Sequence, residues 1–178
     1  MRALPPLIVL PLAAVDGLEH TLALLFAEAG TVRCGSRILA DRMFEVLMLQ
    51  ILRWLLDHPE QADIPRGLLT GLAHPKIAAA LTAIHERPAQ DWSLASMAEV
   101  AGMSRSAFAA AFREHAGETP AEYLSKWRMS IAQTMLRRGK PVSLTADELG
   151  YGSAAAFSRA FAQVVGQSPR AWLQAGAA

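Results

Sequence analysis

The chain contains one stretch of itself twice. Residues 93–124 read SLASMAEVAGMSRSAFAAAFREHAGETPAEYL, and residues 142–173 read VSLTADELGYGSAAAFSRAFAQVVGQSPRAWL. Ala98 matches Ala146, Gly102 matches Gly150, and Phe108 and Phe112 match Phe157 and Phe161. Gly117 matches Gly166, Pro120 matches Pro169, and Tyr123-Leu124 match Trp172-Leu173. The offset is 48 up to the central glycine and 49 after it, so the second copy has one extra residue in its turn. A repeat constrains the fold more than any single residue, because one local structure must serve both copies.

Each copy has the order helix, tight turn, helix. Leu94, Met97, Ala98 and Ala101 define one face of a short first helix. Gly102 ends it, since glycine takes the left-handed conformation of a helix end without a Cβ clash. Ser104 is placed to cap the next helix. Phe108 and Phe112 are four apart and share a buried face. Burying them turns Arg105, Ser106, Ala109, Ala110 and Arg113 outward, and in the second copy Ala154, Ala155, Ser158, Arg159 and Ala162. Two phenylalanines at this spacing alone would suit any helical core. Repeated with the glycine, the capping serine and a closing G-x-[TS]-P, they point to a helix-turn-helix, whose second helix enters the DNA major groove.

Residues 74–178 resemble the DNA-binding domain of the AraC/XylS family of bacterial transcription regulators. The resemblance rests on Ala98, Gly102-Met103-Ser104-Arg105, Phe108, Phe112, Gly117-Glu118-Thr119-Pro120, Tyr123-Leu124 and Arg128. In the second half it rests on Ala146, Leu149-Gly150-Tyr151, Ser153, Phe157-Ser158-Arg159-Ala160-Phe161 and Gly166-Gln167-Ser168-Pro169. It implies a sequence-specific transcription regulator with double-stranded DNA as partner, in the cytoplasm, with RNA polymerase kept open as a further partner.

The expected fold is all-α: two helix-turn-helix subdomains at about 93–118 and 142–167, joined by a long linker helix at about 120–138. A helical connector over residues 1–73 precedes them. Alanine and leucine dominate, hydrophobic residues make up 52% of the chain, and few β-branched runs alternate with period two. Ala121, Leu124, Trp127, Ile131, Met135 and Leu136 space the linker helix's apolar face. Its roughly 18 residues span about 27 Å, on the scale of the ~34 Å between successive major grooves on one face of B-DNA.

Arg105 and Arg159 are the leading base-edge candidates, because arginine can offer two donors to guanine; phosphate contact or a surface ion pair are the alternatives. Ser106 and Ser158 can reach a base edge or a phosphate. Ser104 and Ser153, at the heads of the two helices, complete the candidate face. Arg113, Lys126, Arg128 and Lys140 read as phosphate clamps or packing residues, and Arg128 can equally bond across the two subdomains. Arg137-Arg138-Gly139-Lys140 is a basic corner or a solvated helix end. Ala109, Ala110, Ala154 and Ala155 can touch thymine methyls but donate no hydrogen bond, so specificity rests on few contacts and on DNA shape.

Net charge is only +1, but its distribution is uneven. Residues 1–74 hold six Arg against eight acids, and residues 75–178 hold eleven Lys and Arg against eight. Local cationic surface, not the chain total, is what phosphates meet.

The N-terminal segment is read as proline-punctuated and extended over residues 1–14. A helix capped by Asp16 then runs to Ala29, with Leu18, Leu22, Leu25 and Phe26 on one face. A loop covers Thr31–Gly35. The helix at 36–58 is apolar nearly all round (Ile38, Leu39, Met43, Val46, Leu47, Leu49, Ile51, Leu52, Trp54, Leu55), so it needs cover on most sides. A homodimer contact is favoured over intrachain burial. A linker at 59–65 leads to helices at 66–72 and 76–86, with His85-Glu86 solvated and Trp92 plugging the core. Ala40-Asp41-Arg42, Leu52-Arg53, His74-Pro75-Lys76-Ile77 and Asp91-Trp92-Ser93-Leu94 resemble the connector of AraC-type regulators with a cupin sensor, while the barrel itself is expected to be missing.

Other classes fare poorly. The start is rejected as a secretion signal because prolines interrupt its apolar run. Met43–Leu56 is too short and too charged to span a bilayer. Cys34 is a lone cysteine, which excludes an internal disulfide. The five histidines are scattered without metal-ligand spacing, and no phosphate loop or nucleophile elbow is present. No enzyme, cofactor or metal is expected. The competing reading is a sensor-less interaction module that modulates full-length relatives without reading DNA.

Overall fold

The computed structural model describes residues 8–30, 33–62 and 64–175. Its described residues form ten α-helices and one 3-10 turn, with no strand. They divide into two compact units, Met1–Ala73 and His74–Ala178.

The first unit holds the 3-10 turn Leu12–Ala14, α1 (Leu18–Ala29), α2 (Ser36–Asp57) and α3 (Leu68–Ala73). Residues 8–14 are not simply extended: Ala14 N–H donates to the Pro11 carbonyl at 2.9 Å and closes the turn. The part of the expected extended stretch over residues 1–7, residues 31–32 of the expected loop and Asp63 of the linker lie outside the described residues. Asp16 does not cap α1. Gly17, at φ 75°, is the N-cap, and the Asp16 carbonyl instead accepts from Gln50 Nε2 at 3.3 Å. The core is Val15, Leu18, Trp54, Leu55, Ala62 and Ile64, with Leu22, Leu47, Ile51 and Leu69 packed against it. Phe26 does not join its expected face and is 71% exposed, because the seam follows Leu18, Leu22 and Leu25. The third helix starts at Leu68 rather than Arg66, pinned by Gly67 N–H donating to Thr70 Oγ1 at 2.8 Å.

Along α2 only Trp54 and Leu55 are buried. Ile38, Leu39, Phe44, Val46, Met48, Leu49 and Leu52 are all exposed in the single chain.

The second unit is built from α4 (Pro75–Glu86), α5 (Leu94–Val100), α6 (Arg105–Ala116), α7 (Pro120–Arg137), α8 (Val142–Glu148), α9 (Ala154–Val165) and α10 (Pro169–Ala175). Pro75 sits in the first turn of α4, where its missing N–H costs nothing. The His74 ring accepts from Ile77 N–H at 3.4 Å. The long helix α7 is opened by a capping box, with Thr119 and Glu122 each satisfying the other's backbone N–H.

Its N-terminal half buries Tyr123 and Leu124 against a first subdomain whose core is Ile77, Leu81, Ile84, Met97, Ala98, Phe108 and Phe112. Its C-terminal half buries Met129, Ala132 and Leu136 with Ala146, Leu149, Phe157 and Phe161. One continuous helix therefore contributes to both cores. All four repeat phenylalanines are fully buried, each contributing on the order of 2–3 kcal/mol.

Three expectations fail within this unit. Leu94 is 42% exposed, because the first-turn position of a seven-residue helix overhangs the core. Ala121 is likewise exposed, one step off the Tyr123-Leu124 seam. His85 is not solvated: its Nε2 lies 2.6 Å from the Tyr123 hydroxyl, and its ring centroid is 4.0 Å from that of Trp127. That burial lowers the imidazole pKa and, with a smaller push from Glu118, raises that of Tyr123. Trp92 is buried as expected, its indole N–H donating to the Arg87 carbonyl at 2.9 Å.

Candidate nucleic-acid interface

The two turns are built alike. Gly102 sits at φ 59° and Gly150 at φ 75°. Met103 N–H reaches back to the Ala98 carbonyl, and Tyr151 N–H to the Ala146 carbonyl, both at 3.0 Å. Ser104 Oγ then accepts from Ala107 N–H at 3.3 Å and Ser153 Oγ from Ala156 N–H at 3.1 Å. The serines' first role is thus to start α6 and α9. Both helices end at a left-handed glycine, Gly117 and Gly166.

Burial of the phenylalanine pairs leaves Arg105, Ser106, Ala110 and Arg113 exposed on α6, with Ala109 half-buried. On α9, Ala155 and Arg159 are exposed while Ala154 and Ser158 are half-buried. Ala109 and Arg113 also border a cavity of about 540 Å³ between α5, α6 and α7, floored by Met97 and Leu124. The salt bridges among the described residues join Arg42 with Glu45, Lys126 with Glu118 and Lys140 with Glu148, and engage none of Arg105, Arg113 and Arg159. The basic corner is also partly committed, since the Arg137 guanidinium lies 4.8 Å from the Trp172 ring centroid.

Arg128 is not on this face. Its Nε donates to the Pro88 carbonyl at 2.7 Å and its Nη2 to the Gln90 carbonyl at 2.8 Å. Its Cζ stands 5.5 Å from the centroid of Tyr151. Pro88 and Gln90 belong to the loop before α5 and Tyr151 to the turn before α9, so one side chain on α7 bridges the two subdomains. Sequence reasoning missed the loop's part in this. The only signal was the extra residue in the Gly150-Tyr151-Gly152 turn.

Comparison with known proteins decides the family. A family model described as a helix-turn-helix domain matches residues 97–175. A putative AraC-like transcription regulator of Streptomyces antibioticus is 36% identical over 170 residues, 93% of this chain and 55% of that protein. The transcriptional regulator AlkR of Acinetobacter baylyi is 33% identical over 179 residues, 98% of this chain and 58% of its own. The chain belongs to the AraC family of transcription regulators.

The solved DNA-binding domain of the transcriptional factor AdpA, in complex with a target DNA, superposes with TM-score 0.52 at 28% identity, covering 55% of this chain and 89% of that one. The C-terminal domain of AraT from Geobacillus stearothermophilus gives TM-score 0.55 at 27% identity, over 57% and 86%. A second family model, described as Cupin, matches residues 1–57, a segment that is helical wherever a regular element is described. The AraC-type chain spans a little over half the length of the curated relatives it matches. Those relatives are regulators, not enzymes, and the described residues hold no cluster of metal-ligating side chains. No helix among them is long and apolar enough to cross a membrane.

Proposed function

We propose that this chain regulates transcription by binding double-stranded DNA sequence-specifically, inserting α6 and α9 into successive major grooves. The observation that carries this reading is the pair of identically capped second helices, each presenting an arginine outside any recorded ion pair, on one shared helix. Arg105 and Arg159 contact base edges, where a bidentate arginine reads guanine. Ser106 and Ser158 assist at base edges or phosphates. Ala109, Ala110, Ala154 and Ala155 line the groove floor against thymine methyls. Arg113 meets phosphate, and Ser104 and Ser153 fix the helix starts closest to the duplex. The similarity to a domain solved on its target DNA supports the same conclusion.

The boundary between a connector over residues 1–73 and a DNA-binding domain over residues 74–178 belongs to this proposal, as do a cytoplasmic location and contact with RNA polymerase. So does a homodimer through α2, supported by its run of exposed apolar side chains. That same run favours the second reading, an interaction module that pairs with full-length relatives.

Selection of the full chain on a randomised duplex pool at two salt concentrations tests the proposal. Two enriched blocks about one helical turn apart are expected. Salt-sensitive retention without enrichment would leave only phosphate binding, and no retention would favour the interaction module.

A further inference from the structure

The loop 87–90 presents four consecutive carbonyls, and each has a specific neighbour. The Arg87 carbonyl accepts from the Trp92 indole and from Gln90 N–H. Pro88 and Gln90 accept from the two ends of the Arg128 fork. The Ala89 carbonyl between them faces Gly150 so closely that a Cβ on Gly150 would lie 2.2 Å from its oxygen. The loop is itself held rigid, because Trp92 N–H donates to the Gln90 carbonyl at 2.8 Å and Arg87 stacks over Trp92. Tyr151, the residue after that glycine, lies beneath the Arg128 guanidinium and packs edge-on against Phe157 of α9.

We propose that loop 87–90, Arg128 and Gly150-Tyr151 form a lock that fixes the two helix-turn-helix units in one relative orientation, and that Arg128, as a positioning residue, thereby sets the spacing between the two DNA blocks the chain accepts. The second clause rests on the DNA reading proposed above.

A shared helix alone does not give this. The helix fixes the separation of the two subdomains along its axis, but each can still pivot on the side chains that attach it. The contact of Gly150 on Ala89 lies between turn and loop, off the α7 backbone, and supplies a second point of support. Arginine suits the job because its planar fork holds two donors in fixed directions toward the two carbonyls while its face lies on the Tyr151 ring, whereas lysine's ammonium is a compact point charge with freely rotating donors. Its charge is met by carbonyl dipoles and a ring face, not by an acid, so no protonation of a carboxylate releases it. A rigid pair of readers pays for its spacing error in full, since one inserted base pair both shifts and rotates the second groove relative to the first.

Two measurements on the full chain test this. In a Cys34→Ser background, spin labels at exposed Glu114→Cys on α6 and Gln163→Cys on α9 report the inter-subdomain distance, with unlabelled chain added to dilute any signal between copies. The distribution should be narrow, should broaden in Arg128→Ala, and should narrow only partly in Arg128→Lys. Helix content by circular dichroism checks that the variants fold, and Tyr151→Leu serves as a second variant should Arg128→Ala not. A distribution equally narrow without Arg128 and Tyr151 overturns the lock.

The second measurement takes the duplex recovered by selection and inserts or removes one base pair between its blocks. The wild type should lose about tenfold or more in affinity, and Arg128→Ala should show a clearly flatter spacing profile relative to its own best duplex. An unchanged profile overturns the role in spacing. A wild type that enriches no blocks refutes the DNA reading and the spacing role together, while the label distances still decide the lock.

Discussion

Gly102 and Gly150 occupy the same place in the repeat, yet replacing each by alanine should cost very different amounts. Both have positive φ, 59° and 75°, so a Cβ costs about 1–2 kcal/mol of backbone strain at either site. At Gly102 a Cβ meets nothing within 4 Å, and the strain is the whole cost. At Gly150 the Cβ lands 2.2 Å from the Ala89 oxygen and 3.0 Å from its carbonyl carbon. These are backbone atoms that cannot swing aside. The turn must back away from the loop, taking Tyr151 off Arg128, and a loop displaced instead loses the Arg128 hydrogen bonds. Each such bond to a charged group is worth about 1.5–3 kcal/mol, partly recovered by water because Pro88 and Gln90 are only half-buried. The expected totals are about 1–2 kcal/mol for Gly102→Ala and about 3–5 kcal/mol for Gly150→Ala, by the strain and bond magnitudes just given. In a unit of this size each kcal/mol moves Tm by about 4–8 °C. Asparagine sharpens the contrast, since it tolerates positive φ better than alanine. Gly102→Asn should stay near wild type and Gly150→Asn should not. Thermal unfolding of the full chain, with hydrogen exchange on peptides from residues 120–165 to assign the transition, reads these losses. Equal losses at the two glycines would refute the close-approach argument and leave backbone strain as the whole explanation.

Other substitutions probe the remaining parts of the domain. Ser153→Ala removes the cap on Ala156 N–H and should cost about 1 kcal/mol, read as a fall in Tm. Arg105→Ala and Arg159→Ala should each weaken binding to the selected duplex by about 5- to 150-fold, the equivalent of 1–3 kcal/mol, and relax the preference at one base pair; a uniform loss across all sequences would reassign that arginine to phosphate. The His85 pKa is lowered in the fold by burial, so the unfolded chain takes up the proton first. Its contribution is fully present above the unfolded value of about 6.5 and is lost as pH falls through it. Tm should therefore drop between about pH 7 and pH 5, and His85→Gln should flatten that drop; an unchanged slope would assign it to other groups. Leu49→Lys, on the exposed apolar run of α2, should shift a dimer toward monomer in sedimentation equilibrium while leaving helix content intact.

The repeat was legible because its chemistry is local. A left-handed glycine, a capping serine and phenylalanines four apart each act within a few residues, so Gly102, Ser104, Phe108 and Phe112 could be placed from spacing alone, and Gly150, Ser153, Phe157 and Phe161 with them. The errors lie where distant residues decide. Phe26 and Leu94 satisfy a helical stripe, but the width of the facing surface determines which member of a stripe is covered. Asp16 is a good cap by type, yet a positive φ at Gly17 and the reach of Gln50 from α2 moved the helix start past it. His85 looked solvated because nothing near it in sequence suggests Tyr123 and Trp127, which lie about forty residues on and reach it only when α7 packs beside α4.

The junction is the extreme case. Pro88, Ala89 and Gln90 act through their carbonyls, which every residue has, so no side-chain pattern could mark them. The repeat nevertheless left a trace of it. Two copies of one unit need the same turn for folding alone, and Gly102 with open space above it shows that turn without further duties. The second copy carries an added residue and an aromatic after the glycine. Where two copies of a folding unit diverge in a turn whose local geometry they share, the difference is owed to a neighbour. Here that neighbour is the other copy, reached through Arg128.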